Sequence, residues 1–311
     1  MSKFSSGDAA IYGFTLFKRA PEAVIGILII LPVILVFQTA FSLWPYLTGW
    51  QEGGIDLLDR IGMTSVGGWA LLGVLGVLFS YVASYMVQGA ILRPLTREGG
   101  NGGNLGLKIG MDELRLFLLS LLFAAGLMAI YLAIFIVGMV LGLAAGLIGQ
   151  ATETGGVLSI AAIILVTISA LCALLYFSVR LSPIFAAAVG ERRFAIAEAW
   201  RMTRGRFWEI FGAYVLAFLL TIAFAFAIWI AAFILMVSLA ISMEGLADTL
   251  TSSETVFAPA GVALLVAGLI LFGALYLVTM LPTMGVGAYV YRHWAQQRDV
   301  ANPEHGGAST A

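Results

Sequence analysis

What most constrains this 311-residue chain is where its charges are missing. Six stretches contain no Asp, Glu, Lys or Arg: 23–51, 61–92, 116–152, 154–179, 210–243 and 255–291, with lengths of 29, 32, 37, 26, 34 and 37 residues. A helix that crosses a bilayer needs about 20 mostly apolar residues, because a hydrocarbon core of about 30 Å is climbed at about 1.5 Å per residue. Every run is long enough. Charged residues make up 11% of the chain and apolar ones 61%, against about 25% and 45–50% in an average soluble domain. Soluble enzymes, nucleic-acid binders and disulfide scaffolds are thereby excluded. The expected fold class is all-α: an integral membrane bundle of six spans, at about 23–47, 67–92, 116–149, 157–180, 208–242 and 259–291. Residues 1–22 are expected as a cytoplasmic N-terminal segment, 23–292 as the membrane domain and 293–311 as a disordered cytoplasmic tail.

Six spans put both termini on one side, and the excess of Lys and Arg in short loops marks that side as cytoplasmic. The N-terminal segment, the loops after spans two and four, and the C-terminal tail together hold 15 of the 16 cations; the other loops hold only Arg60. Both termini are therefore expected in the cytoplasm, and the expected location is a bacterial inner (plasma) membrane. The outer loops carry Glu52, Asp56, Asp59, Glu153, Glu244, Asp248 and Glu254. These acids are spread over three loops without the spacing of divalent-cation ligands, so they are read as a solvated rim. The first apolar run is too long for a signal-peptide core and lacks a following small-residue cleavage site. With Lys18 and Arg19 before it, it is expected to be an uncleaved anchor. The single cysteine, Cys172, lies inside span four and is expected as a small buried apolar residue.

The spans pair into three helical hairpins, and the second member of each reaches the inner face at a proline: Pro94, Pro183 and Pro282. Proline lacks a backbone N–H and clashes with the preceding turn, so the chain is expected to bend there. A short basic or aromatic segment precedes each first member, at 14–19, 112–117 and 200–208, which reads as a threefold repeat. The connector at 97–110, rich in Gly and Asn, is expected as a flexible inner loop. It follows a membrane helix rather than a strand, so a phosphate-cradling role is discounted.

Segment 191–208 carries the most information outside the spans. As one helix it would gather Phe194, Ala197, Trp200 and Phe207 or Trp208 on one side, with Glu198, Arg201 and Arg204 on another and Glu198 able to pair with Arg201. That is the pattern of an interfacial amphipathic helix, its arginines among lipid phosphates, each cation contributing about 1 kcal/mol near an anionic surface. Arg192, Arg193, Arg201, Arg204 and Arg206, with Trp200 and Trp208, are the candidate contacts for anionic lipid or a cytoplasmic partner.

The run Trp200-Arg201-Met202-Thr203-Arg204-Gly205-Arg206-Phe207-Trp208 resembles the W-x-L-T-x-G-x-x-W segment of bacterial polytopic proteins grouped with the membrane domain of glycerophosphoryl diester phosphodiesterase. The six-span layout, inner-face prolines and surface segments look similar too. In fused members of that group a separate soluble barrel performs hydrolysis; residues 293–311 leave no room for one. The resemblance thus implies a membrane module of envelope or lipid biology without the hydrolytic activity.

The spans carry no chemistry of the kind that pumps and ion-coupled transporters place there. None of the uncharged runs holds an ionisable Asp, Glu, Lys or Arg, and the only histidines are His293 and His305. H-E-x-x-H and G-x-S-x-G are absent. No catalytic, cofactor-binding or metal-ligating residue is assigned, and no cofactor is expected. A lipid-modifying enzyme would have to draw on Asp112, Glu113 and His293 at the inner interface. Ser80, Ser84 and Gln88 of span two, spaced at four, with Gln38 of span one, form a candidate polar cavity. Interhelical hydrogen bonding is the plainer reading of such side chains. Gly138, Gly142 and Gly146 make a ridge that lets helix backbones approach, expected as internal helix packing, with a homodimer as the other use. Span three, as one helix, exceeds the hydrocarbon thickness and is expected to tilt, bend or project. The expected function is non-enzymatic: a scaffold or lipid-interacting module whose partners are membrane lipids, especially anionic headgroups on the cytoplasmic face. A homo-oligomer or another membrane protein is the other partner class, and nucleic acid is not one. The alternative is a transporter or channel for a lipid or small neutral solute.

Overall fold

The computed structural model describes residues 4–47, 66–97, 106–151, 155–242 and 259–301. Among them every regular element is helical. A short N-terminal group comprises α1 (Ser6–Ile11), a 3-10 turn (Tyr12–Thr15) and α2 (Leu16–Arg19). Long helices follow: α3 (Pro21–Leu47), α4 (Val66–Thr96), α5 (Met111–Ala151) and α6 (Gly155–Leu181). Two short ones, α7 (Ile184–Glu191) and α8 (Ile196–Met202), lead to α9 (Phe207–Ser242) and α10 (Pro259–Ala301). The starts have local causes. Ser5 caps α1 by accepting the Asp8 N–H at 3.2 Å. Pro21 opens α3, where its missing donor costs nothing, and Asp112 and Glu113 occupy the positive first turn of α5.

Five helical stretches are long and apolar enough to cross a membrane: Val74–Thr96, Met111–Ala144, Ile160–Glu191, Phe207–Ile234 and Val266–Arg298. This is the construction of a multi-pass helical membrane protein. Consecutive long helices pack on each other as α3 on α4, α5 on α6 and α9 on α10. The core is concentrated at the ends of the helices that carry the cations: Val87, Ile91, Leu92 and Leu95 of α4, Leu116 and Leu119 of α5, Ile210 and Ala213 of α9, and Leu281 and Val286 of α10 are buried. Farther along, α5, α6 and α9 expose large apolar side chains on most sides, Phe135, Leu165 and Phe233 among them. Cys172 is exposed there rather than buried, because α6 has few neighbours at that level.

Three expectations about the helix ends change. Pro94 and Pro282 lie inside continuous helices, and only Pro183 stands at a break, between α6 and α7. Each internal proline removes one backbone bond, but Leu92, Pro94, Leu95, Leu281, Pro282 and Gly285 are buried, and that packing carries the helix through. The tail does not begin at 293: α10 runs on to Ala301, held by His293 on Gln297 (3.0 Å) and by Arg298 on Glu191 (2.7 Å) and over the Trp294 ring. Span three is an unbroken helix of 41 residues, about 60 Å long.

The N-terminal segment packs onto the long helices. Ala9 and Ala10 of α1 and Gly13 of the turn are buried against α9 and α10, and Leu16 is buried where α2 packs on α3 and α4. Gly13 meets the backbone at Leu281 and Gly285, and no Cβ fits at either glycine. Phe14 packs on Phe224 (5.6 Å between centroids), alongside a stretch read from sequence as a span. Small residues permit this close approach. The outer acids Glu52, Asp56, Asp59, Glu153, Glu244, Asp248 and Glu254, the glycine-rich stretch 98–105 and residues 302–311 lie outside the described residues.

Candidate functional site

The segment joining α6 to α9 is built from local breaks. Pro183 ends α6, Arg192 takes a left-handed conformation (φ 55°) after α7, and Gly205 does the same (φ 77°) after α8. A single helix over 191–208 is therefore replaced by the seven-residue α8 between two turns. The buried face of this helix is Ala199 and Met202, while Trp200 (38% exposed) and Phe194 (52%) turn outward with Arg201. Trp208, at the start of α9, is 77% exposed. An indole so exposed on a membrane helix suits the interfacial aromatic belt.

The five arginines divide by their contacts. Arg192, Arg201 and Arg204 are exposed and make no ion pair among the described residues. Arg193 is exposed too but pairs with Glu198 at 2.9 Å and lies 3.9 Å from Glu191, so Glu198 is engaged by Arg193 and not by the expected Arg201. Arg206 is half-buried and donates to Gln297 Oε1 at 3.3 Å.

Two constellations escaped the sequence reading. The first surrounds Arg180 at the end of α6. Its guanidinium lies 4.4 Å from the Trp200 ring and 5.4 Å from Tyr176. Nη1 donates to Trp200 O (3.2 Å) and Thr203 Oγ1 (3.4 Å), and Nε to Tyr176 OH (3.2 Å). Thr203, fully buried, has its hydroxyl within 3.3 Å of the carbonyls of Arg180, Ala199 and Trp200. The Trp, Thr and Gly of the 200–208 motif thus have structural reasons: Trp200 roofs Arg180, Thr203 bonds carbonyls at the end of α8, and Gly205 makes the turn. Arg180 is the one basic residue within a turn of aromatic Tyr176 and Phe177 at a span end, which was its only sequence signal.

The second joins α4, α5 and α7. Arg93 and Glu113 have side chains 9% and 7% exposed and form an ion pair through Nη2 and Oε1. Glu113 Oε2 also accepts the Gly110 N–H at 2.9 Å, and the carboxylate fills the place of a Cβ at Gly89. Asp112 accepts from Arg97 (3.0 and 3.2 Å) and Arg115 (3.1 Å) and lies 3.6 Å from Arg93 Nε. Arg97 Nη2 reaches Val189 O on α7. Carboxylates held by this many cations serve badly as proton carriers. His293 is occupied elsewhere, between Phe4, Tyr289 and Gln297. Among the described residues no group of three or more His, Cys, Asp and Glu is placed to hold a metal ion.

In the polar stripe, Ser80, Ser84 and Gln88 are half-buried, and the neighbouring Tyr85 hydroxyl bonds Ser120 Oγ across to α5. The Gln38 side chain lies outside the described residues. On the glycine ridge, a Cβ at Gly138 would sit 3.9 Å from Val166 of α6, whereas at Gly142 and Gly146 it would meet nothing within 4 Å among the described residues. Two grooves open on the surface. One, between α5 and α6, is walled by apolar groups such as Leu122, Phe123 and Phe177. The other, between α6 and α9, adds Ser178, Ser182 and Tyr214 to an apolar wall and has a volume of about 430 Å³.

Compared with known proteins, the chain matches no family model, no curated protein and no solved structure.

Proposed function

We propose that the chain is a non-enzymatic, six-span protein of a bacterial inner membrane, with both termini cytoplasmic, that acts as a scaffold or lipid-interacting module of the cell envelope. In this reading α3 is the first span, the long helices form three hairpins, and α7 and α8 lie at the cytoplasmic interface. The observation that carries it is the pairing of exposed Arg192, Arg201 and Arg204 with exposed Phe194, Trp200 and Trp208 on one short stretch. Guanidinium groups that lack an internal carboxylate are available to phosphate, and rings beside them anchor at headgroup depth. The concentration of 15 cations on one side supports the orientation. The resemblance of the 200–208 motif to the membrane domain of glycerophosphoryl diester phosphodiesterase agrees with a role in lipid biology.

The test replaces Arg192, Arg201 and Arg204 by Gln together. At about 1 kcal/mol per cation, preference for anionic over zwitterionic lipid should fall by about two orders of magnitude, read by native mass spectrometry of the detergent-purified protein. Unchanged anionic-lipid retention would sink the proposal.

A further inference from the structure

The groove between α6 and α9 has features that its neighbour between α5 and α6 lacks. Both face outward from membrane-length helices, so hydrocarbon is the natural filling of either. The α6–α9 groove is closed by Leu175, Val179, Phe211, Val215 and Phe218, and three hydroxyls are set among them, those of Ser178, Ser182 and Tyr214. Its volume of about 430 Å³ lies within the range of about 300–1,000 Å³ typical of sites that hold a largely apolar ligand by a few polar groups. At the cytoplasmic end of the same helices stands Arg180, one residue beyond Val179. The Tyr176 ring beneath its guanidinium packs on Phe207 (5.4 Å), which stacks on Phe211 in the groove wall (6.0 Å). Cation seat and groove are one continuous surface.

Arg180 is also fixed in a way that the exposed Arg192, Arg201 and Arg204 are not. Two rings and three hydrogen bonds to Tyr176, Trp200 and Thr203 hold it, all through Nε and Nη1. Its Nη2 has no hydrogen-bond partner among the described residues and is not among the buried atoms left unpaired, so it is an accessible donor of set direction. Exposed Arg204 follows directly on Thr203. Of the acids on the flanking elements, Glu198 is paired with Arg193 and Glu209 lies beside His293. A pre-oriented guanidinium fits a phosphate. An apolar trench running from that point into the bilayer fits a chain esterified to the same molecule.

We infer that the α6–α9 groove seats one acyl chain of an anionic phospholipid whose phosphate is held by Arg180 Nη2. This rests on the lipid-interacting reading and deepens it: the loop arginines supply general attraction, and this site holds one lipid in a defined pose. The bound lipid would close the surface between two helices that otherwise touch little.

The experiment reconstitutes the full chain in phosphatidylcholine vesicles containing a trace of phosphatidylglycerol with a diazirine in one acyl chain, followed by illumination and peptide mapping. Label should concentrate in peptides covering 172–182 and 209–218. Excess phosphatidylglycerol should remove at least nine-tenths of it, and excess phosphatidylcholine should leave it. Val215→Trp, which fills the groove and leaves every arginine in place, should reduce the label about tenfold. Ser178→Leu, from the opposite wall, gives the same reading if the tryptophan variant fails to fold. The triple Arg→Gln variant keeps Arg180 and should retain at least a third of the groove label while losing general anionic preference. Label spread evenly over the exposed helices, equal competition by phosphatidylcholine, or full labelling of a folded groove-filled variant would overturn the inference. A triple variant with undiminished anionic preference would instead overturn only the role given to the loop arginines.

Discussion

Glu113 shows how much one missing side chain can matter. Its carboxylate lies where Gly89 has no Cβ, bound to Arg93 and to the Gly110 N–H, in a site almost closed to solvent. Removing one partner of such a pair leaves an uncompensated charge and typically costs about 3–5 kcal/mol, whereas replacing both by apolar residues is often neutral. Glu113→Ala should therefore destabilise the purified protein by about that amount, and Arg93→Met with Glu113→Leu should recover most of the loss. Chemical unfolding in mixed micelles checks both. From sequence, Arg93 and Glu113 were legible only as charges at the cytoplasmic ends of adjacent spans. Their meeting depends on Gly89, one of 36 glycines, and on the path of the 97–110 connector, and no local pattern encodes either. Arg180 was hidden for a related reason: its rings come from its own helix and from Trp200, twenty residues on.

At the scale of elements, what was legible is what the bilayer itself demands. An uncharged run in hydrocarbon must close its own backbone hydrogen bonds, and among the described residues each run is helical, the helices passing the cation-rich end of each run by two to ten residues. Short elements were less legible. Segment 191–208 has the alternation of an amphipathic helix, but Arg192 and Gly205 turn the backbone left-handed and divide it. Lys18 and Arg19 made the N-terminal group look like a surface segment, yet its Ala9, Ala10 and Gly13 are buried, with Gly13 against Gly285. Gly285→Val tests that fit, because its Cβ would strike the Gly13 backbone. Overpacking of this kind typically costs about 1–3 kcal/mol. The expected outcome is a lower melting temperature in detergent together with faster proteolysis ahead of α3. A variant that melts like the parent would show that the N-terminal group is not held by this contact.

For the whole molecule, the division between a packed end and exposed apolar shafts is the dominant property. Relative helix placement was not legible, because in a bilayer an apolar side chain is as content against lipid as against protein. Cys172 sits on one of those exposed shafts. In intact vesicles its thiol should react with an apolar, membrane-soluble maleimide and resist a sulfonated, water-soluble one. Rapid reaction with the sulfonated reagent would mean that α6 lines an aqueous space and would revive the solute-transport alternative.

The Tyr12–Arg292 hydrogen bond spans 280 positions of the chain, and Gly13 lies against Leu281 and Gly285. Synthesis at roughly 5–20 residues per second therefore separates the emergence of the first partner from that of the last by roughly 15–55 s. Through that interval Gly13 has no seat, and the first helices must enter the membrane without this keystone contact. Biogenesis ends as it begins, at the N-terminus: α10 arrives last and locks the earliest residues in place. A ribosome stalled before residue 280 would leave a chain with most of its long helices made and its packed end open.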